Sequence, residues 1–311
     1  MRRIRKPNRG QDVATASNQR PGAVPGRVSV VLASYNHEEF VGAAVTSVLE
    51  QTHEDLELIV VDDGSSDGTA DVVAQISDPR LRLVRLEQNR SAHARNTGIG
   101  LASGEWVAFQ NSDDVWDPTK LAQQVAEIEE RPSVSAVFTR VQIIGADDGP
   151  APDTWAHAAF GGSEPNSAAW LRRFFDTGND LCISSALCRR EDLTVVGGFN
   201  PALIQLSDLD LWVCLVARGE LRIVEEELTL MRVVPGRNLS APSPVVHNRG
   251  VLEYASVLDR FAQDPVRPLL PEIFEEFAEI AMRGPVLMAC LARYGIRHQG
   301  VAQRLFGDRL F

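Results

Sequence analysis

Cysteine is scarce in this chain, with four residues in 311. The four are Cys182, Cys188, Cys214 and Cys290, and no two of them form a C-x-x-C pair. This spacing excludes the common structural zinc sites and the disulfide frameworks of small secreted domains. We therefore expect reduced thiols, packed as core residues of a cytoplasmic protein.

Long apolar runs and an excess of basic residues are also missing. No stretch approaches the roughly 18–20 apolar residues that cross a bilayer, so we expect no transmembrane segment. The formal net charge of −11 argues against a general nucleic-acid binder, which carries a basic face. Residues 1–26 are basic, polar and aperiodic, and they predict a disordered tail. Contact of this tail with anionic lipid, peripheral to the inner membrane face, stays open as an alternative.

Two phosphate-binding signatures are absent. No G-x-G-x-x-G follows the first predicted strand, which disfavours a Rossmann-type dinucleotide site. The G-x-x-x-x-G-K-[ST] loop of nucleoside triphosphatases does not occur either. If an acidic protein of this kind handles a phosphorylated ligand, it needs local arginine or a divalent cation to balance the phosphate charge.

Apolar strands alternate with helices from Val28 onwards. Continuous apolar strands joined by helices predict an α/β fold with a mostly parallel, doubly wound, Rossmann-like sheet covered on both faces. The predicted strands are 28–32, 56–61, 81–86, 106–109, 134–144, 181–187 and 228–234. The predicted helices are 38–50, 69–76, 91–102, 117–130, 168–175 and 208–217, and the chain after Pro244 is mostly helical. Segment 145–165, rich in Gly and Pro, predicts a long loop.

Four of the predicted strands end on polar side chains. Ligands bind beyond the carboxyl ends of the strands in open parallel sheets. The sequence thus predicts one rim that carries Ala33-Ser34-Tyr35-Asn36, Asp62-Asp63, Asn89-Arg90 and Asn111-Ser112-Asp113-Asp114. Each group alone has an ordinary explanation, because Asp, Ser and Gly also build turns and helix caps. Their coincidence at four strand ends favours a binding site.

Six motifs in this order resemble the family 2 glycosyltransferases, which have the GT-A fold. The motifs are VVLASYN at 30–36, QT at 51–52 before VVDDGSSDGT at 60–69, ARNTG at 94–98, NSDD at 111–114, VGGF at 196–199 and SDLDLW at 207–212. The resemblance spans roughly residues 28–240. It implies an inverting, metal-dependent transferase that moves a sugar from a nucleotide-diphosphate sugar, a UDP-sugar in the first place, to an acceptor hydroxyl.

The resemblance also implies which residues bind the donor. Tyr35 matches the tyrosine that lies against the nucleotide base, Asp63 matches the carboxylate on the base edge, and Arg232 matches an arginine near the diphosphate. The complete set of donor-binding positions is Ala33, Ser34, Tyr35, Asp63, Arg90, Asp113 and Arg232.

Metal and base positions follow from the same resemblance. Asp113 and Asp114 match the family's metal motif, in which one carboxylate contacts the ribose and the other binds Mn²⁺ or Mg²⁺, or both share the ion. Asp208 matches the general base. Without the resemblance, Asp208 would be interpreted as a helix N-cap or first-turn acid. Asp210 is the rival base, and we expect it to face elsewhere on the helix.

The chain departs from the family pattern at several positions. Asn111 stands where the metal motif often begins with Asp, Cys214 replaces a frequent Arg, and Val234 replaces a frequent His. His247 could take the place of that histidine, although a surface position is the simpler interpretation. These departures keep a second hypothesis open, a catalytically impaired nucleotide-sugar binding protein. A sugar nucleotidyltransferase is a third, but its Gly-rich N-terminal signature and lysine are missing.

The expected organisation is a GT-A domain over 27–240 with a helical extension over 241–311. The domain divides into a nucleotide-binding half, 27–130, and an acceptor half, 131–240. Apolar stripes in the extension favour packing onto the catalytic domain, and a homodimer through these helices is the alternative. Glycan, lipid-linked, peptide and natural-product acceptors all stay open.

Overall fold

The computed structural model describes residues 22–87, 91–151, 154–238, 241–277 and 284–310. Most of the predicted tail over 1–26 lies outside these ranges. Its last residues do not belong to a tail, because the first strand begins at Val24, whose amide donates to the carbonyl of Ser103 at 2.8 Å.

Eight strands of the described residues form one mixed sheet in the order β3-β2-β1-β4-β7-β6-β8-β5. Parallel pairing joins β3, β2, β1 and β4, and also β6 and β8, whereas β7 and β5 are antiparallel to their neighbours. The predicted mostly parallel sheet is confirmed. The strands are β1 Val24–Ser34, β2 Leu56–Asp62, β3 Leu81–Arg85, β4 Gly104–Asn111, β5 Val115–Trp116, β6 Val134–Ile144, β7 Leu187–Arg189 and β8 Glu220–Arg232.

Helices cover both faces of this sheet, as the continuous apolar strands require. One buried cluster lies on the face under α1 and α4, and a larger one lies on the face under α3 and α7. The helices are α1 Val41–Leu49, α2 Thr69–Ala74, α3 Ser91–Leu101, α4 Lys120–Glu130, α5 Ser167–Asp176, α6 Arg190–Val196, α7 Ser207–Val216, α8 Pro244–Leu258, α9 Leu270–Ile273, α10 Gly284–Arg297 and α11 Val301–Leu310.

The predicted strand over 181–187 is wrong. This apolar stretch is buried, but residues Ile183–Ser185 form a 3₁₀ turn, and the short strand β7 starts at Leu187. The Ser185 hydroxyl donates to the carbonyl of Cys182 at 2.7 Å, a local bond that competes with strand pairing. Helix α6, which follows β7, is an element that the sequence pattern does not predict, and β8 starts eight residues before the predicted 228.

The C-terminal extension shares its core with the sheet domain. Phe175 at the end of α5 makes edge-to-face contacts with Phe261, Phe274 and Phe306, at centroid distances of 5.0, 5.2 and 5.8 Å. Aromatic pairs of this kind add about 0.5–1.5 kcal/mol each beyond their buried area. The helices after Pro244 are thus packed onto the domain. Among the described helices, none is long and apolar enough to pass through a bilayer.

Candidate active site

A cleft opens at the carboxyl ends of β1, β2 and β4. The register pairs Ser34 with Asp62 and Ala33 with Asn111, so the polar strand ends predicted from the sequence lie side by side. The cleft has a volume of about 1150 Å³. Sites for drug-sized ligands usually measure roughly 300–1,000 Å³, so this cleft has room for a large ligand or for two ligands together.

One end of the cleft is formed by the residues that follow β1 and β2. Ala33, Ser34, Tyr35 and Asp63 all line it. Tyr35 is 41% exposed, so its side chain is accessible for stacking. Asp63 is buried in the wall. The fifth predicted residue of this region, Arg90, lies outside the described residues.

The two adjacent carboxylates after β4 point in different directions. Asp113 lines the cleft, and burial raises the pKa of its carboxyl to about 6. Asp114 does not line the cleft, and its carboxylate accepts bonds from the Arg232 amide at 2.9 Å, from Asn111 Nδ2 at 3.0 Å and from the Ser184 hydroxyl. Burial, and then the charge of Asp113, raise the pKa of Asp114 to about 7. The geometry gives Asp113 the ligand-facing position and Asp114 a supporting one.

The predicted diphosphate contact Arg232 does not line the cleft but lies behind its wall, against Phe40 and Asp113. Its side chain is 2% exposed, and its three guanidinium nitrogens all donate within the protein. The acceptors are the carbonyls of Asp113 at 2.8 Å and Gly145 at 2.7 Å, and the carboxylate of Asp148 at 2.5 Å. Because every nitrogen is engaged and the side chain is buried, Arg232 holds the turn that carries Asp113 and does not face a ligand in this arrangement.

Asp208 lies in the cleft at the start of α7. Its Oδ2 accepts from Asn179 Nδ2 at 2.9 Å, and burial raises the pKa of its carboxyl to about 6. Asp210, two residues on, does not line the cleft and is 3% exposed. Both of its oxygens accept from the Arg260 guanidinium at 2.8 Å. A carboxylate held in this way is a structural ion pair, so of the two rivals only Asp208 faces the cleft.

Arg95 is a cleft residue that the sequence pattern does not single out. It lines the cleft on α3, and its Nη2 donates to Asn111 Oδ1 at 3.2 Å. Burial lowers the pKa of its guanidinium, while the charges of Asp208, Asp63 and Asp113 act in the opposite direction. Arg95 thus helps to balance the charge of these three cleft carboxylates. The one signal for it in the sequence is its place in the ARNTG motif.

Two further cleft residues follow from the structure alone. His37 lines the cleft, with Nδ1 2.8 Å from the Ser112 hydroxyl, and burial lowers its pKa. At the rim, Arg237 donates to Glu39 at 2.6 Å, and both side chains are more than half exposed. His247, on α8, is exposed as the sequence leads us to expect, and it also lines the cleft.

The metal-ligating side chains of the cleft suit a hard divalent ion that takes most of its ligands from water and substrate. Among the residues that the structure describes, no three His, Cys, Asp or Glu side chains cluster as a metal site. Asp113 alone offers a cleft-facing carboxylate at the predicted metal motif. Mg²⁺ in proteins commonly takes one or two carboxylates and completes its shell with water and substrate phosphates. The residues present therefore fit a metal that arrives with a phosphorylated ligand.

Comparison with known proteins gives the family. The model of the glycosyl transferase family 2 matches residues 29–195. This chain belongs to the family 2 glycosyltransferases. An uncharacterised glycosyltransferase of Nostoc sp. is 32% identical over 228 residues, which cover 70% of this chain and 68% of that protein. The chain is therefore a transferase, as the order of its six motifs indicates.

Other relatives match a shorter part. A teichuronic acid biosynthesis glycosyltransferase of Bacillus subtilis, itself named putative, is 42% identical over 42% of this chain. A UDP-Glc:α-D-GlcNAc-diphosphoundecaprenol β-1,3-glucosyltransferase of Escherichia coli is 40% identical over 38% of this chain. The matched segments span 52% and 46% of those two proteins.

Solved structures confirm the GT-A fold. Residues 1–349 of S. aureus TarS in complex with UDP-GlcNAc give a TM-score of 0.63 at 16% identity, over 91% of this chain and 89% of that one. A mannosyltransferase from Pyrobaculum calidifontis in complex with GDP-Man and Mn²⁺ gives a TM-score of 0.54 at 19% identity, over 94% and 87%. At these identities the similarity establishes the fold.

Proposed function

We propose that this glycosyltransferase moves a sugar from a nucleotide-diphosphate sugar to an acceptor hydroxyl, with inversion at the anomeric carbon and with a divalent metal. One observation carries the proposal: Asp113 and Asp208 line the same cleft, and Arg95 interacts electrostatically with both. The proposal thus places its donor-binding carboxylate and its base within one site.

The donor lies, in this proposal, along the β1–β2 end of the cleft. The exposed Tyr35 ring stacks on the nucleotide base, and Asp63 accepts from the N–H groups of the base edge. Ala33 and Ser34 form the floor beneath them. A UDP-sugar is the first choice, because one relative is named for UDP-glucose and TarS has been seen with UDP-GlcNAc.

Asp113 is the residue that would hold Mn²⁺ or Mg²⁺, with Asp114 supporting its turn from behind. When bound, such an ion neutralises charge that grows on the departing diphosphate. The Arg95 guanidinium also faces this region and supplies fixed positive charge. Arg237 at the rim is a further cation within reach of a phosphate.

Asp208 is the proposed general base. It removes the proton from the acceptor hydroxyl while the hydroxyl oxygen bonds to the anomeric carbon, and the bond from that carbon to the nucleotide diphosphate breaks. One displacement from the face opposite the leaving group inverts the configuration. General base catalysis of this kind contributes about 10²–10⁴-fold in rate, and a base with a pKa near the working pH is the most effective. The raised pKa of Asp208, about 6, suits that role.

The test is Asp208→Asn in a transfer assay over a panel of nucleotide sugars and acceptors. We expect turnover to fall by at least about 10²-fold, while calorimetry shows nearly unchanged affinity for UDP in Mn²⁺. A variant with full turnover would remove Asp208 from the mechanism. Metal-dependent binding by the wild-type protein, without sugar transfer or donor hydrolysis, would favour the impaired nucleotide-sugar binding protein instead.

Cellular context is part of the proposal. Cys182, Cys188 and Cys214 are buried free thiols, as expected of a protein in the reducing cytoplasm. An acceptor that is lipid-linked would bring the protein to the inner membrane face, whereas glycan, peptide and natural-product acceptors would not. A homodimer through the C-terminal helices remains a prediction, which analytical ultracentrifugation tests.

A further inference from the structure

Helix α8 borders the cleft, although it lies outside the part of the sequence that the family model matches. The family model matches residues 29–195, and α8 spans Pro244–Leu258. Five of its residues line the cleft: Val246, His247, Gly250, Val251 and Tyr254. Its role therefore needs an explanation from this chain's own contacts.

Glu253, on α8, holds the segment that leads into α7. Its side chain is largely buried, and its carboxylate accepts the backbone amides of Ile204, Gln205 and Leu206 at 3.0, 2.8 and 2.9 Å. These are amides just before the helix N-terminus, where N–H groups lack partners within the helix. Hydrogen bonds to a carboxylate are roughly twice as strong as neutral ones. Asp208 is the second residue of α7, so this anchor lies directly upstream of it.

The neighbouring residue, Tyr254, holds the end of α5 and the turn after it, which carries the hydrogen-bond donor to Asp208. Its hydroxyl donates to the carbonyls of Phe174 and Phe175, at 2.7 and 2.9 Å, at the end of α5. The Tyr254 ring also faces Gly178, whose φ is +97°, with 3.7 Å between its Cζ and the position of a Cβ there. Asn179, the next residue, donates to the proposed base at 2.9 Å.

Two adjacent residues of one helix thus fix both the base and its hydrogen-bond donor. Gly250 gives a third contact between α8 and the segment before α7. A Cβ at this position would be 3.4 Å from Gln205 Nε2, so the helix packs closely on that segment. We propose that Glu253 is a positioning residue for Asp208, and that α8 is an integral part of the acceptor side of the active site. This inference rests on the proposed function of Asp208.

Glu253→Gln tests the role with little change in size. Glutamine keeps one acceptor oxygen but turns an NH₂ group toward backbone N–H donors, so the segment 204–206 has to shift. A shift of about 1 Å in a catalytic group costs up to about 10²-fold, and we expect kcat to fall about 10- to 100-fold. The Kd for UDP in Mn²⁺ should stay within about twofold of the wild-type value, because the proposed donor-binding residues lie at the ends of the strands and not on α8. Glu272→Gln, an exposed residue of α9, is the matched control and should retain wild-type kcat.

Hydrogen exchange gives a readout that needs no turnover. In Glu253→Gln, the amides of 204–206 should exchange faster than in the wild type and in the control, with the strands β1 and β2 unaffected. Unchanged exchange at 204–206, or a kcat within about twofold of the control, overturns the proposal. An equal loss of kcat and UDP affinity also overturns it, since that pattern belongs to general destabilisation.

The outcomes separate this inference from the proposed function. If the wild-type protein neither transfers nor hydrolyses any donor, the proposed function fails, and exchange at 204–206 still decides whether Glu253 holds that segment. Should Glu253→Gln not fold, Tyr254→Phe removes only a hydroxyl from the second anchor. It should lower kcat with unchanged UDP affinity, and a wild-type kcat in this variant would overturn the role of α8.

Discussion

The proposed base predicts a pH dependence of turnover that an ordinary aspartate would not give. Burial raises the pKa of Asp208 to about 6. Only the ionised carboxylate accepts a proton, so the active fraction should fall from about 90% at pH 7 to about 10% at pH 5. We therefore expect kcat/KM to fall about tenfold over this range. An aspartate with the unperturbed pKa of about 3.9 would lose less than about 10%.

The assay has to separate the base from the metal site, because burial also raises the pKa of Asp113 to about 6. Saturating Mn²⁺ should keep Asp113 ionised, since the ion competes with the proton for the carboxylate. Initial rates at low donor concentration from pH 5 to pH 8 would be measured beside the Kd for UDP at each pH. A flat rate profile with constant Kd would refute the assignment of Asp208. A Kd that weakens in step with the rate would assign the pH dependence to Asp113.

The same raised pKa has a consequence for stability. The folded-state pKa of Asp208 exceeds the unfolded one, so the folded protein binds more protons between about pH 4 and pH 6, and its stability falls as the pH rises through that window. Raising the pKa from its ordinary value to about 6 corresponds to about 3 kcal/mol, by which the free energy of unfolding is lowered above pH 6. Asparagine cannot ionise. The unfolding free energy of Asp208→Asn relative to wild type should therefore increase from pH 4 to pH 7, by up to about 3 kcal/mol.

Three further predictions concern the neighbouring charges. Asp210→Asn should lower the melting temperature, because it breaks a largely buried ion pair, yet retain most turnover; a loss of kcat equal to that of Asp208→Asn would contradict the choice between the two residues. Asp113→Asn should remove Mn²⁺-dependent UDP binding in calorimetry. Asp114→Ala should do the same and should also lower the melting temperature, because the Asp114 carboxylate is buried and fully bonded. Unchanged UDP affinity in Mn²⁺ would count against the metal role. Arg237→Ala should weaken UDP affinity severalfold at an unchanged melting temperature, because exposed ion pairs contribute about 1 kcal/mol or less; an unaltered Kd would separate Arg237 from the phosphates.

The sequence predicts the sheet edge well because two local rules coincide there. Continuous apolar strands specify a buried parallel sheet, and polar residues after them specify its functional edge. These two rules assign Ser34, Asp62 and Asn111 to one rim, and the strand register confirms it. Where one rule stands alone, the prediction fails. The apolar stretch 181–187 is buried as expected, but the Ser185 hydroxyl bonds the Cys182 carbonyl and the backbone there forms a 3₁₀ turn.

Contacts between distant segments cannot be predicted in this way. Arg232 matches a motif position, yet its surroundings depend on Gly145 and Asp148, which lie in a loop without periodicity. Glu253 resembles any charged residue of an amphipathic helix until the fold brings it to the amides of 204–206. Arg95 lies inside a helix, where arginine is common, and only the packing of α3 against the sheet directs it into the cleft.

Asn111 shows how a departure from the family pattern is accommodated. Its Nδ2 donates to Asp114 at 3.0 Å, and its Oδ1 accepts from Arg95 at 3.2 Å. An aspartate at this position could accept from Arg95 but could not donate to Asp114, and it would add a third carboxylate beside two whose pKa values burial already raises. The amide thus links Arg95 to the buried carboxylate of Asp114 and leaves Asp113 facing the cleft. Asn111 therefore removes one negative charge beside the proposed metal residue and is itself hydrogen-bonded on both sides, which is why we favour an active transferase over an impaired one.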